Sequence, residues 1–304
     1  MDNVPLVTII TLTYKKFDSL YKTAASVKAQ DYPNIEYIIC DDGSENFKEE
    51  YIQSILIDLG IENVIILSHE KNVGIVSNFN DGIKASRGQY IVPLSADDEF
   101  YDSSSVKNYV TCFIKNDADI VTGKRNCVNE CGDTILVKPL PYQCDILING
   151  SREDVINELF KFSFVSGACT AYSKRILDKY KGFNENYYLI EDFPFYAKFM
   201  MDGGKIYFLD EIMINYGMGG ITNRNTKTSA LLTMDREKYL REIIKPNIRY
   251  TRYLIKREIL YRFHEMYHRD QGVLYKMGFI LYLDFILLLG IRKIKRIIGR
   301  KICR

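Results

Sequence analysis

An α/β fold is what this 304-residue sequence predicts: a mainly parallel central sheet flanked by helices, with a helical extension at its C-terminal end. Three observations predict it. Between residues 6 and 100, apolar β-branched runs alternate with segments of helical spacing. Each apolar run empties into a polar cluster, as the carboxyl ends of parallel strands do around a ligand crevice. The last third of the chain changes to longer helical patterns rich in Lys and Arg.

The elements follow in order. Val7–Leu12 reads as a strand and Phe17–Gln30 as a helix. Glu36–Cys40 is a strand, Phe47–Leu59 a helix, Val64–Leu67 a strand, Val76–Ser86 a helix and Tyr90–Leu94 a strand. A βαβα order of this kind predicts parallel pairing, because the helices serve as crossovers. The four strand exits carry Thr13-Tyr14, Asp41-Asp42, His69–Gly74 and Asp97-Asp98, so one crevice should gather them. Farther along, a hairpin is expected over Ile120–Val137, a Pro-containing loop after it, and a helix from Ser151. A small-residue strand, VSGACTAYS, precedes a helix opening at Glu191-Asp192. Two helices separated near Pro246 are expected over 229–270. With no internal repeat or low-complexity linker, residues 1–222 read as one domain, 223–270 as a helical extension and 271–304 as a tail.

Apolar content of 47% and charged content of 26% place the chain among globular proteins rather than disordered ones. The net charge of +2 hides an asymmetry. Residues 236–304 hold 18 Lys and Arg against 6 Asp and Glu, leaving 23 against 33 in the rest. An acidic body with a basic tail suggests an anionic surface as partner. Within 273–291, Lys276 and Asp284 leave no uncharged run longer than 7 residues, short of the about 18 that a bilayer span requires. The following RKIKRIIGRKICR has 7 basic residues in 13, with Ile294, Ile297, Ile298 and Ile302 at helical spacing. It reads as an interfacial helix on an anionic membrane surface. The N-terminus has no basic lead and runs straight into a strand, so no secretory signal is expected. Seven scattered cysteines, an odd count, read as reduced thiols of a cytoplasmic protein. Cys127 and Cys131 lack a second pair for a zinc site.

Chemistry concentrates in LSADDEF, residues 94–100. Asp97, Asp98 and Glu99 repel one another unless a cation sits among them. Carboxylates at a strand exit suit a hard divalent ion, Mg²⁺ or Mn²⁺, whose remaining positions usually go to water and substrate phosphates. A phosphate-bearing substrate is therefore expected. Tyr14 offers a flat face for a base, and Asp42 an acceptor for a base or ribose donor. Neither GxxxxGK[ST] nor GxGxxG occurs, so the common ATPase and dehydrogenase fingerprints are lacking.

The ordered set TLTY, DDGS, NVGIVSNFNDGI, RGQYI, LSADD, GACTAYS, KGFNE and IEDFPF resembles the family 2 glycosyltransferases, inverting nucleotide-sugar enzymes of the GT-A, Rossmann-like fold. The resemblance spans residues 5 to about 222. It implies that Tyr14 stacks on the base, that Asp42 binds the uracil edge, and that Thr13, Asn72, Gly74, Asp97, Gly219 and Gly220 contact the donor. It implies a divalent metal at Asp97, with Asp98 beside it, and Asp192 as catalytic base with Glu191 as its neighbour. It also implies a lipid-linked saccharide acceptor in bacterial envelope polysaccharide assembly, at the inner face of the cell membrane. The pattern departs at Ser95, in place of the first Asp of a DxD motif. It departs again at Leu12 for Pro, at Phe79 where an Arg near the diphosphate is frequent, and at Met218 where a His is frequent.

Two other readings compete. HEMYH, His264 to His268, matches the zinc-hydrolase pattern HExxH, but no third ligand follows and the flanks are basic and polar. A membrane-docked nucleotide-sugar binder without activity would explain Ser95, Phe79 and Met218 but not the retention of Asp97, Asp98 and Asp192. No nucleic-acid recognition module is present, so nucleic acid is not an expected partner.

Overall fold

The computed structural model describes residues 4–161, 164–218 and 226–248, together with 256–257, 259–261, 264, 272–283 and 286–287. Gly219, Gly220, Glu265, His268 and the basic stretch 291–304 lie outside these residues. Among the described residues, nine strands form one sheet in the order β3-β2-β1-β4-β8-β6-β9-β5, with β7 paired to β6. β1 (Val7–Thr13), β2 (Ile35–Asp41), β3 (Val64–Ser68) and β4 (Tyr90–Ser95) are parallel, Val7 aligning with both Ile35 and Tyr90. Beyond β4 the sheet is mixed. β8 (Thr170–Ser173) runs antiparallel to β4 and to β6 (Ile120–Val128), while β9 (Ile206–Gly217) runs parallel to β6. The expected hairpin is β6 with β7 (Thr134–Lys138), and β5 (Glu99–Phe100) pairs antiparallel with β9.

Strand side chains alternate between faces, and the parallel half follows this rule. Val7, Ile9, Tyr37 and Ile39 enter one core, whereas Ile10, Ile38 and Cys40 enter the other. The first core is closed by α1 (Leu20–Lys28), α2 (Glu49–Asp58) and α4 (Ser105–Asn116), through Leu20, Ile52 and Val106. The second is closed by α3 (Ile75–Ala85), α6 (Arg152–Leu159), α7 (Lys174–Tyr180) and α8 (Asp192–Met201), through Phe79, Val155, Ile176 and Phe195. Both faces are covered, as a largely parallel sheet requires. Each fully buried aliphatic or aromatic side chain contributes about 1.5–3 kcal/mol toward this arrangement.

Local chemistry sets the helix starts. Ser151 and Asp154 form a reciprocal cap, the Asp154 N–H reaching Ser151 Oγ at 3.2 Å and the Ser151 N–H reaching Asp154 Oδ2 at 3.0 Å. Where a loop is expected after the hairpin, α5 (Pro141–Asn149) forms instead. Pro141 stands at its first position, where a missing N–H costs nothing, and Gln143 Oε1 accepts the Leu140 N–H at 3.0 Å. The stretch VSGACTAYS is strand only over β8. Gly167–Cys169 coils into a 3₁₀ turn, with Thr170 Oγ1 donating to the Ser166 carbonyl at 2.7 Å. Pro246 does not separate two helices in the described part of 226–247. Helix α9 (Thr226–Tyr239) passes through a π turn, Leu240–Ile244, directly into Lys245–Asn247.

Candidate functional site

The strand order turns around between β1 and β4: the chain leaves β1 toward β2 and β3, then returns to β4 on β1's other side. A crevice at the carboxyl ends is the consequence. A cleft of about 380 Å³ opens there, within the range of small-ligand sites. Thr13 and Tyr14 line it after β1, Asp42 after β2 and Asp97 after β4. Asp192, the first residue of α8, stands on the wall built by the second half of the sheet.

The DDGS loop is held by its own acids. Asp41 accepts the Ser44 N–H at 2.8 Å and the Ser44 hydroxyl at 2.6 Å. Gly43 has φ +70°, and a Cβ there would lie 2.2 Å from the Lys71 carbonyl carbon, so only glycine lets residues 71–72 approach. Asp42, buried, accepts the Val73 N–H at 2.7 Å and the Gly74 N–H at 3.2 Å. Burial pushes its carboxyl up, and those two N–H groups oppose the push. Gly74 begins α3 at φ +93°, under the Tyr188 ring, which a Cβ would meet at 2.8 Å. The Tyr188 hydroxyl donates to Asn72 Oδ1. Asn72 and Gly74 do not line the cleft; they stand behind Asp42, tied to it and to Tyr188. Tyr14 is 42% exposed, leaving a ring face open, with the Lys15 ammonium 5.2 Å from its centroid.

The three acids after β4 part company. Asp97 faces the cleft, and its Oδ2 receives Lys16 Nζ at 2.5 Å. Asp98 is fully buried and accepts the Gly217 N–H on Oδ1 at 2.9 Å, while its Oδ2 has no hydrogen-bond partner. Burial first, and then the Asp97 charge, hold the Asp98 carboxyl well above its ordinary range, with Arg125 and Lys16 opposing. Glu99 enters β5. A lysine therefore already stands among these carboxylates. The cleft-facing Asp97 carboxylate is a donor that suits a hard divalent ion, while the orphaned Asp98 oxygen is buried behind it and does not line the cleft. Among the described residues no group of three or more His, Cys, Asp or Glu converges as a metal cage.

On the facing wall, Asp192 Oδ2 accepts the Gly167 N–H at 3.0 Å and Oδ1 accepts the Phe193 N–H at 2.8 Å. Burial raises its carboxyl above the ordinary range, against those N–H groups and Arg125. Glu191 rises further, through burial and then the Asp192 charge. The Glu191 side chain lies against Gly167, where a Cβ would come within 2.7 Å of Oε1. Arg125 of β6 lines the cleft, donates to Ser166 Oγ, and carries its guanidinium carbon 4.5 Å from the Tyr216 ring centroid. Its buried Nε has no hydrogen-bond partner.

Lys16, Arg125 and Tyr216 line the cleft and were passed over by sequence reasoning, as was Tyr188, which packs behind it on Gly74. Lys16 was within reach, two residues past Tyr14 in the same strand exit. Arg125 left a fainter signal, as a charge inside the otherwise strand-like IVTGKRNCV. Phe79, where a cation is frequent in the resembled pattern, packs in the core 5.1 Å from Phe183.

Comparison with known proteins decides the family: the model for Glycosyl transferase family 2 matches residues 8–181, more than half of the chain. The chain belongs to glycosyl transferase family 2. This glycosyltransferase is 24% identical over 256 residues to an uncharacterized glycosyltransferase of Haemophilus influenzae, covering 82% of this chain and 75% of that one. It is 31% identical over 105 residues to UDP-Glc:alpha-D-GlcNAc-diphosphoundecaprenol beta-1,3-glucosyltransferase WfaP of Escherichia coli, over 34% of this chain and 40% of the relative. Among solved structures, the mannosyltransferase PcManGT of Pyrobaculum calidifontis in complex with GDP-Man and Mn²⁺ aligns with TM-score 0.59 at 16% identity, over 91% of this chain and 74% of that one. S. aureus TarS 1-349 in complex with UDP-GlcNAc aligns with TM-score 0.58 at 17% identity, over 92% and 80%. These likenesses establish a GT-A fold. Among the described residues no helix is long and apolar enough to cross a membrane.

Proposed function

We propose that this glycosyltransferase moves a hexosyl or N-acetylhexosaminyl group, with inversion, from a UDP-sugar to a hydroxyl of a lipid-linked saccharide in envelope polysaccharide assembly. One observation carries the reading: Asp192 faces the same cleft as Tyr14, Asp42 and Asp97, so a base stands across from a nucleotide-binding wall. Tyr14 stacks on the base. Asp42 uses two of its roughly four acceptor sites on Val73 and Gly74, and the others remain for the uracil edge. Thr13, Gly219 and Gly220 complete the donor site, with Asn72 and Gly74 behind Asp42. Mg²⁺ or Mn²⁺ would be held by Asp97, with Asp98 behind it, and when bound supplies charge that offsets the departing diphosphate. Lys16 and Arg125 add fixed positive charge on the same cleft.

Asp192 takes the proton of the acceptor hydroxyl as that oxygen forms its bond to C1 and the bond from C1 to the diphosphate oxygen breaks. Direct displacement inverts the anomeric centre. Phe164, Val165 and Leu232 give the cleft an apolar side, which excludes water from the bound donor. The basic, aliphatic stretch 292–304 supports a position on the inner membrane face, where a lipid-linked acceptor resides. WfaP's name specifies UDP-Glc and a diphosphoundecaprenol acceptor, and TarS was solved with UDP-GlcNAc, which supports the choice of donor and acceptor classes.

Calorimetry of UDP-, GDP- and dTDP-sugars with and without Mn²⁺ tests the reading. One UDP-sugar should bind at least about tenfold tighter with metal, and Asp97→Ala should abolish that gain. Equal, metal-independent binding of all three classes would overturn the donor assignment.

A further inference from the structure

Helix α9 grips the segment that carries Glu191 and Asp192 from three positions on one of its faces. Asp235, 5% exposed, accepts on a single oxygen the N–H groups of Tyr188, Leu189 and Ile190 at 2.9, 2.6 and 3.2 Å. Lys238, one residue short of the next turn, donates from Nζ to the Asn186 carbonyl at 3.0 Å. Tyr239, fully buried one turn on, sets its ring 6.4 Å from that of Phe193. Positions i, i+3 and i+4 share a helix face, so one face holds the chain on both sides of the two acids. The neighbouring Leu232 and Arg236 reach the cleft itself. Asp192 is otherwise fixed by the Gly167 and Phe193 N–H groups, and the aim of its carboxylate depends on where residues 188–190 place the start of α8.

We propose that Asp235 is a positioning residue of this enzyme: by collecting three consecutive backbone N–H groups it fixes the loop-to-helix entry that aims Asp192 at the acceptor. The proposal rests on Asp192 acting as the base. It assigns a catalytic consequence to a helix beyond the 8–181 match. Asp235 touches no reacting atom. Its removal would leave three N–H groups without their acceptor and let the segment drift, and small misplacements of a catalytic group are costly in rate.

The test combines kinetics with amide exchange by NMR on the full chain. In Asp235→Ala, kcat should fall at least about tenfold, and by more than the Kd of the donor nucleotide rises, since Tyr188, which packs on Gly74, also loses an anchor. The amides of Tyr188, Leu189, Ile190 and Gly167 should exchange at least about tenfold faster, with the β1 and β2 amides unchanged. Asp235→Asn keeps a carbonyl acceptor in place and should return both readouts to within a few-fold of wild type. If the Ala variant does not fold, Asp235→Glu, which displaces the acceptor by one methylene, takes its place with the same expected losses. Wild-type protection at Gly167 in the Ala or Glu variant overturns the proposal. So does equal loss of protection in β1 and β2, which would make Asp235 a general stability residue. A wild-type chain that turns over no sugar nucleotide would sink the base assignment instead, and Gly167 exchange would still report whether Asp235 holds Asp192.

Discussion

The Arg125 guanidinium carbon lies 4.5 Å from the Tyr216 ring centroid, with Nε buried and lacking a hydrogen-bond partner. The cation is thereby held on an aromatic face between two acids whose carboxyls it pulls down, Asp98 and Asp192. Position 79, where the resembled pattern often places a cation, is a core phenylalanine, and Arg125 restores positive charge to the cleft from the other half of the sheet.

Arg125→Met should therefore lower kcat/KM about 10- to 100-fold, the equivalent of one charged hydrogen bond at about 1.5–3 kcal/mol. It should also move the acid limb of the rate profile to higher pH, because Asp192 loses a cation that favours its ionised form. Steady-state kinetics over pH 5–9 check both effects.

Asp192→Asn should abolish most turnover, by about 10²- to 10⁴-fold for loss of a general base. Nucleotide affinity should stay near wild type, because Asp192 stands on the opposite wall from Tyr14 and Asp42. Calorimetry alongside kinetics separates the two effects.

Turnover should depend on pH through Asp192. Asp192 must be ionised to accept a proton, and its carboxyl is raised to about 6, so kcat should fall as pH drops through about 6. Glu191, raised to about 8, keeps its proton through that range. Glu191→Gln should accordingly leave the inflection in place. A group whose pKa is raised on folding stabilises the fold below its unfolded value, and that contribution is lost as pH rises through the folded value. The Tm of Glu191→Gln relative to wild type should thus increase from pH 5 to pH 9, as thermal melts across that range can measure.

Gly74→Ala should destabilise the protein by about 1–3 kcal/mol, since alanine must adopt φ +93° with its Cβ 2.8 Å from the Tyr188 ring. Nucleotide affinity should fall with it, because the displaced Tyr188 releases Asn72 and disturbs the N–H groups that Asp42 holds. A denaturant titration and a calorimetric isotherm measure the two effects.

The parallel half was legible in the sequence because its residues obey two simple periods. Ile9 and Ile39 alternate with Ile10 and Ile38, and α3 repeats Val76, Phe79 and Ile83 at helical spacing, so strand, helix and strand exit all stand out. The mixed half was harder to read. β9 carries Asp210 and Glu211 in its middle where its ladder with β6 shifts register, and charge inside a strand hides the strand. Within the acid cluster, sequence placed Asp97, Asp98 and Glu99 together but could not show the backbone turning one carboxylate into the cleft and the next into the core. Asp235 was invisible for a related reason: an acid among the charges of DREK announces nothing until folding brings three N–H groups to it.

The most direct measurement is the anomeric configuration of the product formed from a UDP-α-sugar and an extracted lipid-linked acceptor with Mn²⁺, read by proton NMR, for wild type and Asp192→Asn. Wild type should give a β-linked product with stoichiometric UDP release, and the variant should lose both. An α-linked product, or wild-type turnover by Asp192→Asn, would contradict direct displacement with Asp192 as its base.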